Sequence, residues 1–269
     1  VVFLLLRATP GDPVDAILGP RAPEEQKELV RQQLGLGDPL WLQYLHYMQG
    51  LFSLNLGTSL ATRGQTVWDI IRGYFPATAE LALFSMAIAL IIGVSVGILS
   101  ASQPNTPLDA GGRIFGIITY SVPLFWVGML LQLVFSVQLK WFPLGTRFPV
   151  ASSPPYGLTG LYTVDSLLTG NFEALGTSIY YLFLPCFTLG LVLSGIFERI
   201  VRVNLKQTLT ADYVEAARAR GIPERQVLLR HALKNALIPV VTVLGLTLAA
   251  MLGGAVLTEV TFSWPGLGN

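Results

Sequence analysis

Charge is scarce in this chain. Of its 269 residues, 12% are Asp, Glu, Lys or Arg, where a soluble domain carries about 25%. Hydrophobic residues make up 52%, and the mean hydropathy is +0.58. That balance argues against a water-soluble domain and for an integral membrane protein. Cysteine occurs once, at Cys186 within an apolar run, so neither a disulfide framework nor a cysteine-based metal site can form. Histidine occurs twice, at His46 and His231. No G-x-x-x-x-G-K-[ST] stretch exists to cradle phosphates, and no H-E-x-x-H stretch to hold a catalytic metal. The net charge of +1 gives no reason to expect nucleic acid as a partner.

What the chain does have is long uncharged runs. Residues 81–101, 114–139, 179–197 and 236–258 are 21, 26, 19 and 23 residues without a charge. Each is about as long as the roughly 20 residues that a membrane-spanning helix needs. The second run contains Ser121-Val122-Pro123 and the third Pro185. Proline removes a backbone hydrogen bond and bends a membrane helix whose neighbours satisfy the freed carbonyl, so a kink is expected at each. At Pro123 it is expected to shape packing, with movement during gating as the alternative. Gly245, Gly253 and Gly254 in the fourth run favour close helix approach. Glu80, at the edge of the first run, is expected in water or at a helix start and not in a proton relay. Glu198 closes the third run, and Glu259 marks the water beyond the fourth. Ser95, Thr119, Ser121, Gln132, Ser136, Thr188 and Ser194 are candidates to line a path. They are equally candidates for interhelical hydrogen bonds, worth about 0.6 kcal/mol each, so no substrate site is assigned.

Residues 1–6 read as the tail of a first transmembrane helix, with no cleavable signal pattern after it. Residues 7–76 read as an extracytoplasmic loop region, with a turn cluster at Pro10-Gly11-Asp12-Pro13. Within it, Pro23 to Leu34 predicts a short exposed helix ended by Gly35. Trp41, Tyr44, Leu45 and Met48 recur at helical spacing, and rings of this kind sit at the headgroup level. Residues 77–269 read as the transmembrane core. Its Lys140–Thr177 connector is rich in Pro, Gly and Tyr and is expected to be irregular, with Asp165 and Glu173 as solvated acids.

Basic residues are unevenly shared. The 199–235 loop holds eight: Arg199, Arg202, Lys206, Arg218, Arg220, Arg225, Arg230 and Lys234. The 140–177 connector holds two, Lys140 and Arg147. Positive charge favours the cytoplasm, which puts the first of these loops and the 102–113 connector inside, and residues 7–75 and 140–177 outside.

The 199–235 loop is the densest run of charge. Ala211 to Arg220 has good helix formers throughout, and Gly221 supplies the backbone freedom for a sharp turn. Pro223 restarts a helix as its first residue, with Glu224 in the first turn. Glu215-Ala216-Ala217, three residues and then Gly221 resembles the EAA loop of bacterial ABC importer permeases. YVEAARARG with RHALKNALIPV, and Ser121, Pro123, Phe125 and Trp126 in the second run, are similar to the B-type subunit of the dipeptide/oligopeptide branch. His231 stands where the general pattern has Ile, and the proline comes later, at Pro239, as in that branch.

The resemblance implies an all-α polytopic bundle of the type I importer kind in the bacterial inner membrane. It implies six spans, the first cut short and the last beyond Asn269, plus a cytoplasmic coupling helix. It assigns coupling to Tyr213, Glu215, Ala216, Ala217, Arg218 and Gly221. It implies a second permease of C type, two ATPase subunits that bind ATP and Mg, and an extracytoplasmic substrate-binding protein. No catalytic residue, metal or cofactor is assigned to the chain itself. Related permeases take dipeptides, longer peptides, nickel complexes or glycosides, and these residues do not separate them. An ion-gradient-driven transporter would place ionisable residues mid-span, where this chain has none. A membrane scaffold or enzyme lacks a clustered set of His, Asp or Glu here.

Overall fold

A computed structural model describes residues 3, 13–19, 22–33, 35–59, 65–155 and 157–269. The chain divides into two compact units, Val1–Gly73 and Tyr74–Asn269. The expected helix tail at 1–6 and the turn cluster at 10–13 lie outside the described residues, Phe3 and Pro13 apart.

The first unit holds three short helices, α1 (Pro13–Leu18), α2 (Glu24–Gln33) and α3 (Leu40–Phe52). α2 opens after Pro23 with Glu24 and Glu25 at the positive end of its dipole. The Lys27 ammonium lies 2.8 Å from Asp15 and 3.4 Å from Glu24. The Gln43 amide donates to the carbonyls of Leu36 and Asp38, at 3.1 and 2.7 Å, which fixes the turn into α3. α3 carries no charged side chain and buries none of its residues. Trp41, Tyr44, Leu45 and Phe52 stand exposed along it.

The second unit is a helical bundle with no strand among the described residues. α4 (Val67–Ser102) enters it at Tyr74. There follow α5 (Pro107–Ser121), α6 (Leu124–Gln138), α7 (Tyr162–Leu168) and α8 (Phe172–Leu209). The chain ends on α9 (Asp212–Ala219), α10 (Glu224–Ala236), α11 (Ile238–Leu252) and α12 (Val256–Thr261). The last turns of α6, Gln132–Gln138, and the middle of α10, Val227–Ala232, wind as π-helix.

α4 and α8 are each long and apolar enough to cross a membrane. At 36 and 38 residues and about 1.5 Å per residue, both outreach an apolar layer of roughly 30 Å. Pro76 and Pro185 sit inside them without ending either helix. The other two expected spans are broken. α5 and α6 meet at 100° and α10 and α11 at 48°, so the four spans are met only if each bent pair counts as one. The kink expected at Pro123 is a break: Val122 takes an extended backbone (φ −86°, ψ 129°), as a residue before proline prefers. The fourth run also stops early. α11 ends at Leu252, and Gly254, at φ +120°, turns the chain into α12.

Leu81, Met86, Leu182, Leu189, Phe197 and Val201 join α4 to α8, with Val240, Met251 and Trp264 against them. α5 runs along α8 so closely that a methyl group on Gly116 would strike the Glu198 carboxylate.

The connector 140–177 is less irregular than expected, since it contains α7 and the start of α8. Four acids read as solvated or edge residues are buried, each 2% exposed or less: Glu80, Asp165, Glu198 and Glu259. Glu80 lies well inside α4, not at its start. It accepts from Arg147 Nε and Nη2 at 3.1 and 2.7 Å, and from Thr163 N and Oγ1 at 2.8 and 2.6 Å. Arg147 also covers the ring of Tyr162, 3.6 Å from its centroid. Asp165 accepts from Thr159 N and Gly160 N, at 3.0 and 2.9 Å, and so shapes the turn before α7. Glu259 accepts from Thr78 Oγ1 and Gly268 N, at 2.7 and 2.6 Å. Glu198 accepts from Arg202 Nε at 2.8 Å. For Glu80 and Glu259 the reason is tertiary, since donors come from segments far away in the chain, whereas Asp165 and Glu198 take theirs from residues 4–6 positions away. Glu173 stays exposed, as expected.

Candidate coupling site

α9 is a short helix on an apolar base. Asp212 and Glu215 lie in its first turn, where the dipole favours acids. Val214 and Ala217, three residues apart and so on one face, are fully buried with Ala101, Leu205, Val227, Ala232 and Ala236. Asp212, Tyr213, Glu215, Ala216, Arg218 and Ala219 are left exposed.

The six residues assigned to coupling therefore divide. Glu215 and Ala216 face outward. Tyr213 is also exposed, and its hydroxyl accepts from Asn235 Nδ2 of α10 at 2.8 Å. Ala217 is part of the base. Arg218 reaches across the turn to Glu224, with Nη2 to Oε1 at 2.7 Å and Nε to Oε2 at 3.0 Å, and its Nη1 donates to the Leu209 carbonyl at 3.0 Å. The hydrogen bonds from Arg218 hold the Glu224 carboxyl below the usual carboxylate range. Gly221 sits at φ +74° with no neighbouring atom within 4 Å of where a Cβ would be. Its glycine is demanded by the backbone, not by crowding. Pro223 stands just before α10 and not within it, because its ψ of 140° is extended.

Behind α9, Lys206 of α8 pairs with Asp109 of α5 at 2.8 Å, and Ser100 Oγ of α4 donates to the same carboxylate at 3.1 Å. Sequence reading missed this tie. Asp109 is the one acid in the 102–113 connector, which was a signal, but its partner lies 97 residues away.

Most of the polar residues that are candidates to line a path are spent on backbone. Thr119, Thr188 and Ser194 donate to carbonyls of their own helices, Phe115, Leu184 and Leu191, at 2.8, 2.8 and 2.6 Å. Gln132 donates to Leu144 O and Thr261 O at 2.6 and 3.0 Å, and Ser136 to Pro143 O at 3.0 Å. Ser95 and Ser121 are exposed. Gly93-Val94-Ser95-Val96-Gly97 spells G-x-S-x-G, but it lies in the middle of α4, without the strand-to-helix elbow that makes such a serine a nucleophile. Among the described residues no three His, Cys, Asp or Glu side chains gather as metal ligands do.

Among the described residues, a strand-free bundle with two unbroken spanning helices and a small outward-facing helix on a glycine turn defines the class, an all-α membrane protein. The chain belongs to the family of binding-protein-dependent transport system inner membrane components, whose model matches residues 93–269; the model of the family's N-terminal part matches residues 1–82. It is thus a permease component of an ABC transporter of the inner membrane. It is 43% identical to the probable D,D-dipeptide transport system permease protein DdpB of Escherichia coli K12, over all of this chain and 78% of that protein. It is 39% identical to the dipeptide transport system permease protein DppB of Alkalihalophilus pseudofirmus, over all of this chain and 80% of that one. It is 34% identical to the oligopeptide transport system permease protein AppB of Bacillus subtilis 168, over 99% and 78%.

Proposed function

We propose that this chain is one permease subunit of an ATP-driven importer of di- or oligopeptides, and forms half of the translocation path with a second, similar permease. Substrate arrives from an extracytoplasmic binding protein. Two cytoplasmic ATPase subunits bind ATP and Mg and hydrolyse it, while this chain catalyses no reaction. The observation that carries the reading is α9: Glu215 and Ala216 stand exposed on a helix whose other face, Val214 and Ala217, is fixed in the bundle. A partner that seats on the outer face and closes would move α9 as a rigid body, and the packed base would pass the movement to α8 and α10. The excess of basic residues at this end supports a cytoplasmic position. Peptide as substrate rests on what the relatives carry.

The test is to purify the chain with its co-expressed neighbours and measure ATP hydrolysis with and without loaded binding protein. Stimulation by peptide-loaded binding protein, abolished in Gly221→Asp, is the expected result. Stimulation only by a binding protein carrying nickel or a glycoside would keep the mechanism and change the substrate. No associated ATPase would overturn the reading in favour of a gradient-driven transporter.

A further inference from the structure

The family resemblance groups Arg218 with residues that grip an ATPase, yet all three of its guanidinium nitrogens donate within the chain, two to Glu224 and one to the Leu209 carbonyl. The place where it does so matters. Between α9 and α10 the chain makes its turn at Gly221, whose φ is +74° and where a Cβ would meet no atom within 4 Å. Arg220, Gly221 and Pro223 are exposed and only Ile222 is partly covered. The turn is closed by backbone bonds, Gly221 N to Arg218 O at 2.9 Å and Ile222 N to Ala217 O at 3.4 Å, and by the apolar base that α9 shares with α10, but the glycine joint itself carries no side chain and is torsionally soft. Arg218 spans it to the first residue of α10. A two-pronged guanidinium–carboxylate contact fixes plane as well as distance, which a lysine cannot do. On the opposite edge, Tyr213 and Asn235 tie the same two helices at 2.8 Å.

We propose that Arg218 and Glu224 form a positioning brace that sets the angle of α9 against α10, so that a displacement of α9 by the ATPase reaches α11 instead of being absorbed at Gly221. Neither side chain makes the partner contact. This rests on the importer reading above and refines the part that Arg218 plays in it.

The experiment uses the complete importer in proteoliposomes with its binding protein, and measures transport and ATP hydrolysis separately. Arg218→Ala and Glu224→Ala each lower the substrate moved per ATP by about threefold, the scale of one well-formed exposed ion pair. The ATPase subunits co-purify at wild-type stoichiometry. Arg218→Lys gives an intermediate ratio, and the exchanged pair Arg218→Glu with Glu224→Arg recovers most of the loss. A purely stabilising contact would change the melting temperature but not the ratio. Loss of ATPase retention in the single variants, without recovery in the exchanged pair, would make Arg218 a contact residue and overturn the brace. An unchanged ratio in both single variants, with Glu215→Lys still uncoupling, would also overturn the brace while leaving the importer reading intact. If no ATPase binds the wild-type chain, both fall.

Discussion

The exposed turn between α9 and α10 and the buried far end of α4 handle charge in opposite ways. Where α4 ends, Ala101 joins an apolar cluster with Leu205, Val214 and Val227, while the charged side chains of α9 and α10 stay in solvent and pair there. Some twenty residues earlier on α4, about 30 Å away along its axis, Thr78 and Glu80 are buried. They bind Glu259, Arg147 and Thr163, and the segment around Trp264 closes over Ala77, to whose carbonyl the indole N–H donates at 2.9 Å. A buried ion pair gives little net stability but is costly to break, because the surviving partner remains desolvated. An exposed pair costs little to break. The far end of α4 is therefore intolerant of substitution, as is the Asp109–Lys206 tie behind α9, whose carboxylate is buried, whereas the exposed pair between α9 and α10 can be broken without unfolding the bundle.

The largest effect is expected at the buried end. Arg147→Met leaves Glu80 without its cation and should cost about 3–5 kcal/mol, seen as a large drop in the thermal unfolding midpoint in detergent. A drop no larger than that of Arg218→Ala would erase the contrast between the two regions. Next comes Gly116→Ala, which overpacks the α5–α8 seam against Glu198 and should cost about 1–3 kcal/mol. Gly245→Ala in α11, where a Cβ meets nothing within 4 Å, should stay within about 0.5 kcal/mol on the isolated chain. Gly221→Ala forces a side chain into a left-handed conformation at roughly 1–2 kcal/mol, a strain local to the turn. It should reduce coupling more than it lowers the melting temperature, and Gly221→Asn should retain more coupling than Gly221→Ala, because asparagine adopts that conformation more readily.

The smallest effect concerns pH. Arg218 depresses the folded pKa of Glu224, so the pair's contribution is complete above the ordinary carboxylate value and is lost as the pH falls through the depressed one. Spin labels at Ala219→Cys and Gln226→Cys should report one α9–α10 distance from neutral pH down to the ordinary carboxylate range, and a broader distribution only below it. Broadening near neutral pH would contradict the brace.

The same contrast explains what could be read in advance. The coupling turn is local: helix formers, a glycine that needs positive φ, a proline and an acid lie within a dozen residues, so α9, its end and the start of α10 were legible to within a residue or two. The uncharged runs located α4 and α8 for the same reason. Glu80 and Arg147 are 67 residues apart and Thr78 and Glu259 are 181 apart, and nothing in either neighbourhood announces the other. Burial of Glu80 was misread because an acid at the edge of an apolar run looks the same whether water or an arginine waits beside it. Proline was ambiguous in a similar way. Pro76 and Pro185 are carried inside helices, while Pro123 stands in the break between two; Pro185 is buried and Pro123 exposed.

The most direct test of the account places a photo-crosslinking residue at Ala216, on the exposed face of α9, at buried Ala217 beside it, and at exposed Ser263 on the opposite end, in the assembled importer. The account predicts that Ala216 captures an ATPase subunit, that Ala217 captures only this chain, and that Ser263 captures no ATPase. An ATPase crosslink from Ser263, or none from Ala216, would contradict it.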